Sequence, residues 1–301
     1  MAIADFHLHS TASDGTSSPA ELVALVAKQG VRTMALTDHD TTAGVDEAVA
    51  AGRGLGVRVI PGIEISTDLD DGGEAHLLGY FASTENAALQ SQLERYREGR
   101  HERGLQIMRN LEQLGVPVAW ERVLAIAGEA AVGRPHIARA MVERGYVTGV
   151  GEAFEAYLRT GGPANAAREK LPPAEAVQLI RASGGVAVLA HPQYLPDADA
   201  TVELLSEAGL QGIEVYYKNH GTDAIARFGA LARRHGLVAA GGSDYHGTKN
   251  DEHLPGELPL PAAAAGAFVE FLEHAWAESE SPTAQSAQAT RSHATKRGVR
   301  R

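Results

Sequence analysis

Apolar residues recur along this chain in short runs that stop abruptly at ionisable residues. Longer stretches of helical period lie between them. Thr33-Met34-Ala35-Leu36-Thr37 is one such run, and it stops at Asp38-His39-Asp40. Val57-Arg58-Val59-Ile60 leads into Pro61-Gly62-Ile63-Glu64, and a fourth run, roughly His76 to Phe81, follows a glycine-rich turn. Gly185-Val186-Ala187-Val188-Leu189-Ala190 ends in His191-Pro192; Gly212-Ile213-Glu214-Val215 follows; Leu237-Val238-Ala239-Ala240 ends in Gly242-Ser243-Asp244-Tyr245-His246. The helical stretches carry their own punctuation. Ser18 reads as an N-cap, Pro19 as the first helical residue, Leu22, Val23 and Val26 as the apolar stripe, and Gly30 as the stop. Strands alternating with helices predict parallel βαβ units and an α/β fold.

The character changes over 86–162, where the chain is charged and helical, with amphipathic patterns around Leu89–Leu114 and Ile137–Val142. This stretch reads as a helical insertion capping the mouth of a discontinuous α/β body formed by 1–85 and 163–277. A last helix is expected at about Ala262–Trp276. Residues 278–301 lose apolar period and turn to Ser, Ala, Thr, Gln and basic residues, so this tail is expected to be disordered.

Composition narrows the chemistry. With 301 residues and no apolar run of membrane length, the chain is expected to be soluble and without a membrane partner, and its start lacks a signal-like core, which predicts a cytoplasmic protein. It has no cysteine, so disulfides and thiolate metal sites are excluded. A net charge of −11 argues against a surface that coats nucleic acid. A bound cation inside a carboxylate-lined pocket would still admit an anionic substrate.

The first fifteen residues carry the strongest chemical pattern. In the extended segment Asp5-Phe6-His7-Leu8-His9, positions i and i+2 share a face, so His7 and His9 project together while Leu8 turns into the packing. Asp14 follows. Four later segments add His39, Glu64 with His76, His191, and Asp244 with His246. Any one of them could be a turn or packing residue. Together they fall at successive strand ends, where barrels of parallel strands collect their chemistry. Nine imidazoles and carboxylates exceed what one ion needs, so two or three metals sharing a carboxylate are expected. Such ligands suit Mn, Fe, Zn, Mg or Co without deciding among them.

The HLHS start, Asp14, the TDHD stretch at 37–40, Gly62-Ile63-Glu64, Ala190-His191-Pro192 and Ser243-Asp244-Tyr245-His246 resemble the PHP (polymerase and histidinol phosphatase) family, in its order, as far as about residue 250. The resemblance implies a distorted (βα)7 barrel with an inserted helical subdomain and a trinuclear site. By the family pattern His7, His9, Glu64 and Asp244 would hold one ion. Glu64 would bridge to a second held by His76 and His191. Asp14, His39 and His246 would hold the third, with Asp38 and Asp40 orienting His39. Manganese is the first expectation, with iron, zinc or magnesium as alternatives.

The insertion is similar to that of stand-alone members acting on nucleoside 3′,5′-bisphosphates and on the 5′ end of short RNA. Arg97-Glu98-Gly99-Arg100 and Arg103, spaced to share a helix face, carry this likeness, as does Gly133-Arg134-Pro135-His136. The resemblance implies a metal-dependent phosphoesterase in which a metal-activated hydroxide attacks phosphorus. Arg97, Gly99, Arg100 and Arg103 would bind the substrate's remote end, and Arg134 and His136 would clamp the scissile phosphate. His220 or a metal-bound water would protonate the leaving group. Where such relatives carry a lysine and an aromatic ring after the insertion, this chain reads Gly161-Gly162-Pro163-Ala164-Asn165-Ala166, which leaves the base-side contacts open. The partner is a nucleotide or short RNA, with no stable protein partner implied. Histidinol-phosphate phosphatase is the rival enzyme, and a non-catalytic metal-stabilised nucleotide-binding scaffold is the rival of another class.

Overall fold

The computed structural model describes residues 2–69, 73–128, 130–166, 171–248 and 253–279. Seven strands form one sheet in chain order: β1 (Ala4–Asp5), β2 (Thr33–Leu36), β3 (Arg58–Asp68), β4 (Glu74–Tyr80), β5 (Val186–Leu189), β6 (Gly212–Tyr217) and β7 (Val238–Gly242). The sheet curls until its ends meet. Leu8 and Tyr245 form a parallel bridge, and Phe6 N–H donates to the Gly241 carbonyl at 3.2 Å. The result is a seven-stranded, distorted (βα)7 barrel.

The helices among the described residues are α1 (Pro19–Lys28), α2 (Val45–Leu55), α3 (Ala87–Gln113), α4 (Trp120–Ala127), α5 (Arg134–Glu143), α6 (Val150–Ala153), α7 (Pro173–Ala182), α8 (Ala198–Ala208), α9 (Thr222–His235) and α10 (Ala262–Ser279). Local chemistry explains their ends. Ser18 and Glu21 form a reciprocal capping box on α1 with Pro19 behind it, while Gly236 ends α9 in the left-handed region at φ 66°. None of the described helices is long and apolar enough to cross a membrane.

One strand departs from the parallel expectation. β4 runs antiparallel to both β3 and β5, from Asp68 opposite Glu74 to Gly62 opposite Tyr80. Only five residues separate Asp68 from Glu74, far too few for a crossover helix, so the chain must double back. His76 therefore lies near the start of β4, opposite Ser66, and reaches the same mouth as Glu64.

Phe6, Ile60, Tyr80 and Val188 fill the barrel and pack on Phe268 and Leu272 of α10, with Phe6 and Phe268 ring centroids 4.8 Å apart. A second apolar cluster lies under α7, α8 and α9 and takes in Leu89, Leu93 and Tyr96 from the first half of α3. The second half of α3 supplies Ile107 and Leu111 to a separate cluster with Val123, Ile137, Met141 and Leu158. We propose that the boundary between barrel and insertion lies inside α3 rather than at residue 86. The last helix runs on to Ser279, three residues past the expected end, and the remainder of the expected tail, 280–301, lies outside the described residues.

Candidate metal centre

The end of β1 is held by Asp5, a buried carboxylate that accepts N–H bonds from Ser243 and Gly256 at 2.9 Å each. Beyond it Leu8 joins the apolar cluster of Leu22, Val23 and Met34, which turns His7 and His9 together into the barrel mouth. Gly242 makes room for them. A Cβ there would overlap the His7 side chain and stand 2.9 Å from Glu214 Oε1.

Glu64 is the hub. Its Oε2 lies 3.3 Å from His7 Nε2, 3.2 Å from His9 Nε2 and 3.0 Å from His39 Nδ1. Its Oε1 faces a different pair, His76 Nδ1 at 2.9 Å and His191 Nε2 at 3.0 Å. Asp244 Oδ1 stands 3.4 Å from His7 Nε2 and 3.2 Å from His9 Nε2. On the third side His246 Nε2 is 3.4 Å from Asp14 Oδ1, and His39 Nε2 is 3.9 Å from Asp14 Oδ2. Three overlapping groups, His7/His9/Glu64/Asp244, His39/Glu64/His76 and His9/Asp14/His39/His246, each bring their ligand atoms within 4.8 Å of one another. His191 completes the hub through Glu64.

Hydrogen bonding does not account for this cluster. His7 Nε2, both nitrogens of His9, His39 Nδ1 and Glu64 Oε2 are buried without a hydrogen-bond partner. Leaving so many polar atoms unsatisfied costs several kcal/mol unless something else binds them. Ligand atoms at about 2.1 Å from a cation lie about 3.0 to 3.4 Å from each other in octahedral or tetrahedral arrangements. The observed separations match, so the donor set fits divalent cations.

Proton affinities are polarised accordingly. Burial raises the Glu64, Asp14 and Asp244 carboxyls, but the surrounding imidazoles overcome it and hold all three well below the carboxylate range. Burial pushes His39 down to about 3. For His76 and His246 burial also lowers, yet Glu64 and Asp14 prevail, carrying them to about 9 and about 10.

An outer layer holds these groups in place. Glu214, fully buried, lies 3.1 Å from His7 Nδ1 and accepts the His191 N–H at 2.6 Å. With the Nδ1 proton turned to Glu214, the Nε2 lone pair of His7 points into the cluster. Tyr217 donates its hydroxyl to Asp244 Oδ2 at 2.8 Å, and Lys218 Nζ donates to the Asp244 carbonyl at 3.0 Å. Glu74 lies 3.9 Å from His76 Nε2 and takes both oxygens to Arg134 Nη2, at 3.0 and 2.9 Å. Asp40, His191 and Asp244 are the non-glycine residues with positive φ among the described residues, and all three lie in this region. Backbone in that region is maintained by surrounding contacts at a local cost, a pattern typical of functional sites.

A cleft of about 190 Å³ is lined by His39 and His76 together with Arg100, Arg103 and Arg134. The PHP domain family matches residues 5–127. A 5′-3′ exoribonuclease of Haemophilus influenzae is 35% identical, over 80% of this chain and 89% of its own length. The chain belongs to the PHP family.

Two further relatives stand at the same 35% identity: a 3′,5′-nucleoside bisphosphate phosphatase of Chromobacterium violaceum, over 82% of this chain and 88% of its own length, and a phosphoribosyl 1,2-cyclic phosphate 1,2-diphosphodiesterase of Eggerthella lenta, over 81% and 94%. A solved amidohydrolase structure from Chromobacterium violaceum, with sulfate and no metal, superposes with a TM-score of 0.78 at 33% identity, covering 84% of this chain and 92% of that one. This PHP chain is a phosphoesterase, and its His/Asp/Glu cluster is capable of binding metal.

Around the PHP cluster several residues take places other than those expected. Arg97 does not share the cleft with Arg100 and Arg103; it lines a neighbouring groove beside Thr11 and Thr41. Steps of three residues fall short of a full turn, so the row drifts around α3. Gly99 faces open space. Arg100 pairs with Asp40 at 2.6 Å, while Arg103 donates to the Ala166 carbonyl at 2.7 Å and to Asn165 Oδ1 at 2.9 Å. Asp38 accepts from Ser10 and Ser13, and Asp40 accepts from Arg100 Nε at 2.8 Å and from the Ser66 N–H at 3.1 Å. A parallel backbone bridge between His39 and Glu64 also positions that histidine. His136 is buried, its Nδ1 accepting the Gly133 N–H at 2.9 Å, and burial depresses it to about 4, so it caps α5 as a neutral ring. His220 lies outside the cluster. Its ring nitrogens meet the Val215 carbonyl at 2.8 Å and the Gln193 side chain at 2.7 Å, and it stacks on Phe228. Glu214 and Tyr217 went unassigned in the sequence. The signal for Glu214 is a lone carboxylate inside the apolar run Gly212–Tyr217.

Proposed function

We propose that this protein is a metal-dependent phosphoesterase that hydrolyses a phosphate monoester or diester of a nucleotide, either a nucleoside 3′,5′-bisphosphate or the 5′ end of a short RNA. The observation that carries this reading is one cleft lined both by the metal-ligating groups Asp14, His39 and His76 and by Arg100, Arg103 and Arg134. Ribose phosphate esters are also the chemistry shared by the names of the three relatives at 35% identity.

The residues divide the work as follows. His7, His9, Glu64 and Asp244 form one cation site, Glu64, His76 and His191 a second, and Asp14, His39 and His246 a third, with manganese the first candidate. Bound there, divalent cations supply Lewis-acid polarisation of the ester and a water acidified for attack. Glu64, whose Oε2 faces His7, His9 and His39 and whose Oε1 faces His76 and His191, would serve two of these sites. Arg100, kept in one rotamer by Asp40, presents its remaining donors to a second anion on the substrate, where its planar fork suits phosphate oxygens. Arg134, already bidentate on Glu74, supplies positive potential at the cleft and steadies His76 through that carboxylate. Arg103, tied to 165–166, sets the floor of the insertion. Cytoplasmic residence follows from a nucleotide substrate.

The test, in Mn²⁺, is phosphate release from adenosine 3′,5′-bisphosphate and histidinol phosphate and release of mononucleotide from a 5′-phosphorylated trinucleotide. The nucleotide substrates are expected to exceed histidinol phosphate by at least about tenfold in kcat/KM, the worth of one charge-assisted contact. Preference for histidinol phosphate would overturn the substrate class. No release at full metal occupancy would leave a binding scaffold.

A further inference from the structure

Among the described residues, Tyr194 is the most exposed of the large apolar side chains, at 62%. It lies three residues after His191, on the short 3-10 turn Pro192–Tyr194, and its N–H returns to the His191 carbonyl at 3.2 Å. The turn is stiff because Pro192 sets its first φ. The ring is therefore carried on a firm support, although it faces water.

Its neighbours leave it open. The His191 ring is 5.6 Å away at 55°, and the Tyr217 ring is 6.0 Å away at 89°. Neither lies parallel to it, so neither occupies a face by stacking. The other aromatic candidate is Phe154, in the arginine cleft. That ring is taken, because the Arg134 guanidinium covers it at 5.5 Å and the side chain packs, partly buried, against the insertion core. Tyr194 does not line the arginine cleft. A row of ring contacts, His39 to His76 at 5.4 Å and His76 to His191 at 5.1 Å, leads from that cleft to Tyr194. Tyr194 stands at the far end of this row, beyond His191.

We infer that Tyr194 is a stacking platform for the nucleobase of the substrate, so that a nucleotide spans the cluster with its base on Tyr194 and its second phosphate in the arginine cleft. Every base offers a π-face, and stacking on an exposed tyrosine tolerates any sequence. An exposed ring gains from a planar partner because both faces shed water, whereas a phosphosugar alone has nothing to place there. This inference rests on the nucleotide reading given above and adds the base-binding subsite to it.

The experiment compares wild type, Tyr194→Ala and Tyr194→Trp, each first shown to have wild-type metal content. Substrates are adenosine 3′,5′-bisphosphate and an abasic deoxyribose 3,5-bisphosphate. Tyr194→Ala is expected to raise KM for the nucleotide about tenfold or more, with kcat within about twofold and the abasic substrate unchanged. Tyr194→Trp should keep the nucleotide KM. Its added indole fluorescence should be quenched by adenosine 5′-monophosphate but not by deoxyribose 5-phosphate, a readout independent of turnover. An unchanged KM in Tyr194→Ala, an equal loss on both substrates, or no base-dependent quenching overturns the platform. If wild type hydrolyses neither substrate nor the 5′-phosphorylated trinucleotide, the nucleotide reading itself fails, and the quenching then decides the platform alone.

Discussion

Glu214 Oε1 lies 3.1 Å from Nδ1 of His7, a residue 207 positions earlier in the chain. The same carboxylate accepts the backbone N–H of His191, whose φ of 26° is held against its preference. One buried side chain thus steadies donors on both sides of Glu64. Glu214→Ala is expected to lower bound metal by at least one equivalent per chain, with about tenfold to hundredfold weaker affinity for what remains. Metal analysis after gel filtration checks it. Full occupancy at wild-type affinity would show that Glu214 only fills space.

Glu64→Gln preserves shape but removes the charge that allows one side chain to serve two cations. At least one ion is expected to be lost, and turnover to fall by about three orders of magnitude. Parallel metal analysis and single-turnover rates test this. A variant with complete metal and normal rate would exclude a bridging role.

The metal-free protein should respond to pH through His76 and His246, raised to about 9 and about 10 against an ordinary 6.5. A histidine raised on folding stabilises fully below its ordinary value, and that contribution disappears as pH climbs through the folded value. Stability without metal should therefore decline from about pH 7 toward pH 10, by this contribution. Cation binding needs neutral imidazoles and must displace these protons. Calorimetry of Mn²⁺ binding at about pH 7.5 should show proton release that varies with buffer enthalpy, and affinity should rise with pH. Buffer-independent heats would refute it.

Arg100 has a structural partner as well as a proposed ligand. Asp40 is fully buried and takes Arg100 Nε at 2.8 Å and the Ser66 N–H at 3.1 Å. Arg100→Ala strands that carboxylate, which should destabilise the fold by about 3 kcal/mol, and Arg100→Ala with Asp40→Asn should recover most of the loss. Below the melting transition, Arg100→Ala should lower kcat/KM for the bisphosphate about tenfold to hundredfold while p-nitrophenyl phosphate changes little. Thermal melts and paired kinetics separate the two effects. Intact bisphosphate kinetics would reduce Arg100 to a partner of Asp40.

The sequence by itself determined the composition of the cluster. Alternation along Phe6-His7-Leu8-His9 sends two imidazoles one way, and runs that stop at Asp38-His39-Asp40, His191-Pro192 and Ser243–His246 mark the mouth of a barrel. These are local signals, written in period and punctuation. Tertiary structure decided the direction of β4, because its antiparallel pairing with β3 and β5, not hydropathy, reverses it and brings His76 back to Glu64. It also decided which charges are already spent. Arg100 on Asp40, Arg134 on Glu74 and Arg103 on Asn165 pair groups from different segments, and no helical spacing reveals them. The separation of Arg97 from its neighbours has the same origin. Periodicity says which residues share a face of one element, but the faces of α3 are given meaning only by the barrel loops and the insertion packed on either side.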